Sequence, residues 1–273
     1  MIQKDKLVIG FIGVGNMGAA IIGGVIKAGF INKESVIVSD LSESLLNKAK
    51  KNYGIITTHD NKIVAEKADV LFLCVKPHIY PDVIREVANI TKKGAIVVII
   101  AAGQTLSTVT KQFNREDLKI VKTMPNTPAL VNSGMTAVCP SNNLTKDEVI
   151  LILDIMNTVG KTEILPESLF DAFTGIAGSA PAYAFMFIEA MSDAGVKYGL
   201  SREQAIKFSA QTLLGASKML LETGKHPGQL KDEVTSPGGT TIAAVCTLEK
   251  EGFRHAIISG VSACVEKSEK MKT

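Results

Sequence analysis

The sequence predicts an α/β protein, with an N-terminal doubly wound parallel sheet followed by a C-terminal half built only of helices. Three observations carry this. Short apolar runs alternate with helical patterns as far as residue 165, as successive strand–helix–strand units do. A Gly13-x-Gly15-x-x-Gly18 turn joins the first apolar run to the first helical pattern. From Glu167 onward no strand-like run recurs, and long helical stretches punctuated by Gly, Pro and Ser take over. The expected division is therefore 1–165 and 166–273.

Each element has its own signal. The apolar run ending at Ile12 reads as a strand, and 16–28 as the helix that follows it. Between them Gly13 permits a tight turn, Gly15 lets backbone approach a pyrophosphate, and Gly18 lets the helix pack close to the strand. The anion then meets free N–H groups at a helix N-terminus. A second strand, 35–40, ends on Asp40, an acid placed ~20 residues beyond the glycines, where it can accept from ribose hydroxyls. Leu45, Leu46 and Ala49 have helical spacing over 41–51, and Tyr53-Gly54 stops that helix. A short strand over 55–58 precedes Asn61, placed to cap a helix over 62–67.

The continuous apolar run 69–75 suits a strand buried on both faces. Helices over 81–90 and 105–113 bracket another such strand, 95–100, which ends in Ala101-Ala102-Gly103. A strand over 118–123 runs into Met124-Pro125-Asn126-Thr127-Pro128. Edge strands are expected over 134–139 and 162–165, with a helix over 145–159 between them. In the second half the patterns predict helices over 168–176, 182–196, 202–223, 229–233, 240–249 and 254–269. The stretches 182–188 and 256–261 lack a polar face, so they must be buried against other helices. A domain of that size can hide few such helices alone, which points to a homo-oligomer built on this half.

Composition excludes other classes. Thirty basic and twenty-seven acidic residues give a net charge of +3, scattered along the chain, and there is no tryptophan. No basic run suggests a nucleic-acid groove. Cys74, Cys139, Cys246 and Cys264 are far apart, and without paired spacing they read as reduced, as in a cytoplasmic protein. No apolar stretch is long enough to span a bilayer. No cluster signals a metal, and no nucleophile–base spacing signals covalent catalysis. Hydride transfer needs neither, since a nicotinamide supplies the hydride and the protein orients it.

Three loops follow strand ends that face one crevice: 75–78, 101–103 and 124–128. Lys76 is the only obvious cation among them, a candidate for catalysis or for capping the strand end. Pro125 and Pro128 fix the backbone around Asn126, which can aim its amide at a cofactor. In the second half, Ser236-Pro237-Gly238-Gly239-Thr240-Thr241 opens a helix. Its glycine amides and hydroxyls suit a small carboxylate, or else form a glycine-rich cap between helices.

The segments GFIGVGNMG, VLFLCVKPH, KTMPNTPALV, DAFTGIAGSAPAYAF, HPGQLKDEVTSPGGTTI and LEKEGFR occur in this order. Together they resemble the pyrroline-5-carboxylate reductases over nearly the whole chain. The resemblance implies a Rossmann domain followed by a helical dimerisation domain. It also implies reduction of (S)-1-pyrroline-5-carboxylate to L-proline with NADPH or NADH, in a homodimer that can assemble into a decamer. It would place the pyrophosphate on Ile12, Gly13, Val14, Gly15, Asn16, Met17 and Gly18, and Asn61 near the adenosine ribose. Val75, Lys76, Pro77, Ala101 and Ala102 would line the cofactor. Ser236, Gly238, Gly239, Thr240 and Thr241 would bind substrate, with Glu167 as a substrate-side acid and Thr241 and Lys76 nearest the chemistry. Two departures stand out: Ala180 replaces a usual glycine, and Asp40 stands where many members have a neutral residue, which leans the cofactor towards NADH. A β-hydroxyacid or 6-phosphogluconate-type dehydrogenase shares the plan. Its catalytic helix, however, carries a Lys and an Asn that 182–196 lacks. A redox-silent nucleotide sensor need not keep the SPGGTT loop.

Overall fold

The computed structural model describes residues 6–100 and 103–271. Its first part alternates as expected: β1 Ile9–Ile12, α1 Asn16–Lys27, β2 Val36–Ser39, α2 Glu43–Tyr53, β3 Ile56–Thr58, α3 Asn61–Lys67 and β4 Val70–Leu73. There follow α4 Tyr80–Val87, β5 Ile96–Ile99, α5 Leu106–Phe113, β6 Lys119–Pro125, β7 Gly134–Pro140, α6 Lys146–Asn157 and β8 Gly160–Ile164. The eight strands form one sheet in the order β3-β2-β1-β4-β5-β6-β7-β8.

Strands β1 to β6 are parallel, but β7 runs antiparallel to β6, and β8 is parallel to β7. The sheet is thus mixed at one end, and β7 is an inner strand rather than an edge. The cause is the short link. A parallel return needs a crossover of about a dozen residues or more. Only 126–133, including a short 3-10 turn, separates β6 from β7, so the chain must double back. After β7, α6 provides a full crossover and β8 can run parallel again.

Both faces of the middle of the sheet are covered, which is why β1, β4 and β5 are apolar and buried throughout. One core layer holds Phe11, Ile21, Ile22, Val38, Phe72, Val98 and Ile152, and the other holds Leu71, Tyr80, Ile84, Val97, Ile99 and Phe113. Phe11 and Phe72, on neighbouring strands, stack with centroids 4.8 Å apart. Helix ends follow local chemistry. Ser42 caps α2, which Gly54 ends with φ +68°, and Thr145 with Glu148 makes a reciprocal capping box on α6. Asp60, not Asn61, caps α3: its Oδ1 accepts from Lys62 N–H at 2.8 Å, and Asn61 is the first helical residue.

The expected single helix over 168–176 is broken into a 3-10 turn Glu167–Leu169, the short α7 Phe170–Phe173 and a π-turn Thr174–Gly178. Thr174 loosens the turn by donating Oγ1 back to Phe170 C=O at 2.7 Å. The remaining helices are α8 Ala180–Lys197, α9 Arg202–Thr223, α10 Pro227–Glu233, α11 Thr240–Lys250 and α12 Phe253–Lys270. Contacts divide the chain into two compact units. One comprises the described residues up to Gly178 with the C-terminal stretch from Val265, and the other is Ser179–Cys264. Residues 167–178 therefore pack with the sheet, held by Glu167 on Lys122 of β6 at 3.0 Å and Asp171 on Ser268 at 2.8 Å. Among the described residues of the second unit, only Ser192, Ala205 and Ser209 are buried, and Phe185, Met186, Leu214 and Ile258 are each more than 60 % exposed.

Candidate active site

The strand order 3-2-1-4-5-6 reverses direction between β1 and β4, the point where open α/β sheets bind ligands. Register makes the crevice level there: Ile12 pairs with Ser39 on one side and Leu73 on the other, and Leu73 pairs with Ile99. Gly13, Asp40 and Cys74 therefore leave the sheet side by side.

Each fingerprint glycine shows its own reason. Gly13 has φ +95°, and a Cβ there would lie 2.7 Å from Cys74 C=O. A Cβ on Gly18 would lie 2.6 Å from Gly13 C=O, so that glycine sets how closely α1 approaches the turn. Gly15 differs, because nothing lies within 4 Å of its absent Cβ. Its φ of −62° and ψ of −170° suit any residue. Backbone geometry does not require glycine at 15, so the open space beside it is what its smallness preserves. Gly15 is also the N-cap of α1 and offers no side-chain cap, and no acid lies in the first turn. The first helical bond is Ala19 N–H to Gly15 C=O at 2.9 Å. The amides of Asn16, Met17 and Gly18 thus face a ligand position with the positive end of the helix dipole behind them. These residues fit a pyrophosphate.

Asp40 is held firmly. Its Oδ2 accepts from Val14 N–H and its Oδ1 from Ser42 N–H, both at 2.8 Å. The carboxylate braces the glycine turn against the start of α2, and its remaining lone pairs are fixed in direction. Asn61 meets Ser39 and Glu86: its Oδ1 accepts from Ser39 Oγ at 2.7 Å, and its Nδ2 donates to Glu86 at 2.8 Å. It lies beside the end of β2, as the ribose role requires, but with both ends already engaged.

Beyond β4, Val75 is half-buried and Lys76 and Pro77 are exposed. Lys76 accepts Ile79 N–H on its carbonyl at 2.9 Å, so its backbone starts a 3-10 turn. No carboxylate lies within ion-pair distance of its ammonium among the described residues. Ala101 and Ala102 lie outside the described residues. Asn126 departs from expectation. Its Nδ2 donates to Ala177 C=O at 3.0 Å, and its Oδ1 accepts Met135 N–H at 2.9 Å. It is nearly buried and clamps the π-turn to β7 rather than aiming its amide at a cofactor. Glu167 likewise is committed within the sheet unit: Oε1 accepts from Lys122 Nζ and from Leu106 N–H, both at 3.0 Å. The charge expected at the substrate instead holds a buried lysine, whose ammonium also lies 4.7 Å from the Phe170 ring centroid.

In the other unit, Gly238 has φ +68° and open space at its Cβ position, while Gly239 is the uncapped N-cap of α11. Gly239 N–H closes the turn onto Ser236 C=O at 3.1 Å. Thr240 and Thr241 form the first turn of α11, with no acid there. This is a second helix end open to an anion, with hydroxyls alongside.

Sequence reasoning missed two residues of this region. Tyr80, fully buried, donates its hydroxyl to Leu73 C=O at 2.6 Å and accepts Ile100 N–H at 3.2 Å, tying the ends of β4 and β5. Nothing in the sequence marks it. Lys122 could have been suspected, because a lysine inside an apolar strand run demands a partner. Cys74 lies under the glycine turn, and burial alone pushes its thiol far above the usual range.

Comparison with known proteins decides the family. The chain is 46% identical over 263 residues to the pyrroline-5-carboxylate reductase of Escherichia coli (strain K12), covering 96% of this chain and 97% of that one. The chain belongs to the pyrroline-5-carboxylate reductase family. Residues 167–271 match the family model for pyrroline-5-carboxylate reductase dimerisation, and residues 8–103 match the NADP oxidoreductase coenzyme F420-dependent model. A pyrroline-5-carboxylate reductase structure from Coxiella burnetii is 35% identical, with a TM-score of 0.92 over 98% of this chain and all of that one. Pyrroline carboxylate reductase from Plasmodium falciparum, solved with NADP bound, is 32% identical with a TM-score of 0.88, covering 99% of this chain and all of that one. The segment matching the family's dimerisation domain contains the unit whose apolar side chains a single chain leaves bare. Homo-oligomerisation accounts for both facts, and a nicotinamide cofactor accounts for the glycine turn.

Proposed function

We propose that this chain reduces (S)-1-pyrroline-5-carboxylate to L-proline with a reduced nicotinamide nucleotide, the last step of proline formation. Full-length similarity to reductases of that substrate carries the reading, and the open side of Gly15 before an uncapped helix supports it. When bound, the nicotinamide supplies a hydride to the carbon of the cyclic C=N bond. The chain supplies the rest. The turn from Ile12 to Gly18 would hold the pyrophosphate, Val75, Lys76 and Pro77 would line the cofactor, and Asn61 would stand at the ribose. Gly239 N–H closes the turn onto Ser236 C=O, so the N–H of Gly238, the first amides of α11 and the hydroxyls of Ser236 and Thr240 hold the substrate carboxylate. Thr241 donates a hydrogen bond to the ring nitrogen, which takes up one proton from solvent, so that hydride addition at the carbon leaves the amine of proline. Lys76 adds positive charge over the crevice.

The preferred nucleotide is NADH. The Asp40 carboxylate can accept from unmodified ribose hydroxyls, whereas it would repel a 2′-phosphate at close range. The active form is a homodimer joined through the helical unit, able to assemble further into a decamer, and it works in the cytoplasm. Turnover of pyrroline-5-carboxylate with each nucleotide tests the reading. NADH should give the higher kcat/KM, and Asp40→Ser should flatten or reverse the order. Absence of turnover with either nucleotide would overturn the assignment.

A further inference from the structure

His59, just past β3, has no part in the site described above, yet its ring is gripped from two sides. Nδ1 lies 2.9 Å from the Asp40 carbonyl and Nε2 2.5 Å from Glu43 Oε2. A carbonyl and a carboxylate only accept, so both bonds form only when both ring nitrogens carry hydrogen. The satisfied ring is the imidazolium. Asp40 lies in the turn between β2 and α2, where its carboxylate is pinned to Val14 and Ser42, and Glu43 is the first residue of α2. Glu43 in turn accepts from Asn47 Nδ2 at 3.0 Å, so the carboxylate facing His59 is itself oriented.

We propose that His59 is a specificity-determining residue for the nucleotide: charged, it offsets Glu43 beside the ribose end of the site, and neutral, it leaves the turn more hostile to a 2′-phosphate. The inference rests on Asp40 facing the adenosine ribose, as in the function proposed above. With His59 charged, Asp40, Glu43 and His59 carry one excess negative charge, and with it neutral they carry two. The other charged groups nearby leave that difference standing. Asp60 caps α3 through Lys62 N–H, Glu86 is held by Asn61, and Lys50 acts on Glu43 from further along α2. The hydrogen bond to Glu43, followed by that to the Asp40 carbonyl, raises the imidazole above its usual range. The charged state therefore extends to higher pH than in a free imidazole and is lost as pH rises through the raised value.

The probes are ADP and adenosine 2′,5′-bisphosphate, titrated calorimetrically into the full chain without nicotinamide or substrate from about pH 6 to about pH 9. In wild type, preference for ADP over the bisphosphate should grow with pH by about threefold more than in His59→Gln, a gap set by the weakness of exposed charge pairs. His59→Gln keeps only the phosphate's own titration. Imidazole proton resonances give a second readout. His59 should titrate above the ordinary range, fall back in Glu43→Gln, and shift further up with the bisphosphate but not with ADP. Identical pH dependence in wild type and His59→Gln, while Asp40→Ser still alters the preference, would overturn the role of His59 alone. Failure of Asp40→Ser to alter either affinity would instead overturn the placing of the ribose.

Discussion

The two units of this chain bury their side chains in opposite ways. The sheet unit is saturated: every residue of β1, β2, β4 and β5 is buried, and helices close both faces. The helical unit, Ser179–Cys264, buries three residues, two of them serines, and exposes Phe185, Met186, Phe208 and Leu214. Helices of this kind draw most of their stability from packing. The contrast teaches that one unit is a finished structure and the other is half of one. It also separates the proposed chemistry, with the glycine turn proposed for the nucleotide on the self-sufficient unit and the loop proposed for the substrate carboxylate on the dependent one.

The largest expected effect breaks the sheet side. Phe72→Ala removes the ring stacked on Phe11 and should lower unfolding free energy by ~3–5 kcal/mol. Denaturant titration should show this loss independent of protein concentration, and a concentration-dependent loss would mean that the sheet too relies on a partner.

Next, a pair of substitutions separates the two sites. Gly15→Val should keep the fold, since that position is open and its backbone ordinary, yet remove nucleotide binding. Thr241→Ala should leave nucleotide affinity unchanged and lower kcat/KM by roughly tenfold to a hundredfold, the loss of ~1–3 kcal/mol for one donor in a closed site. Equal damage to nucleotide binding by Thr241→Ala would move that residue to the cofactor side.

Dilution sharpens the same comparison. If the helical unit is stable only when paired, each tenfold dilution should cost the assembly about 1.4 kcal/mol. Amide exchange over α8 to α12 should then speed up while the sheet stays protected. A stable, fully protected monomer at micromolar concentration in sedimentation would remove the distinction.

The smallest effect is acid sensitivity within the sheet unit. Hydrogen bonds from Arg115, aided by Gly94 N–H, hold the Asp117 carboxyl down at about 2. Its folded value lies below its unfolded one, so its contribution is complete above the ordinary carboxylate range and is lost as pH falls towards 2. Asp117→Asn should flatten that part of the acid-unfolding curve. An unchanged curve would show the pair to be idle.

Legibility in the sequence follows the same divide. Strands of the sheet were readable because burial on both faces writes itself as continuous apolar runs, as in 69–75 and 95–100. The roles of Gly13 and Gly18 were readable because only glycine satisfies them. The reversal at β7 was not, since strand direction depends on link length and not on strand composition. Asn126 beside a strand end looks free to meet a ligand, and the resemblance alone puts Glu167 at the substrate, until their partners, Ala177, Met135 and Lys122, are known. Those partners are remote in sequence, and spacing cannot show them. The helices of the second unit were legible as helices, and their lack of a polar face announced an absent neighbour without identifying the surface it covers.

The thiol beneath the glycine turn has a further consequence for dynamics. Cys74 is almost wholly protonated at neutral pH, and its sulfur lies 3.5 Å from where a Cβ on Gly18 would be. A thiol held protonated in this way reacts only slowly with alkylating reagents while the turn is closed. Its labelling rate is therefore a clock for the opening of the turn, read by mass spectrometry in the unmodified protein. Nucleotide that bridges the turn should slow this clock, while proline should leave it running.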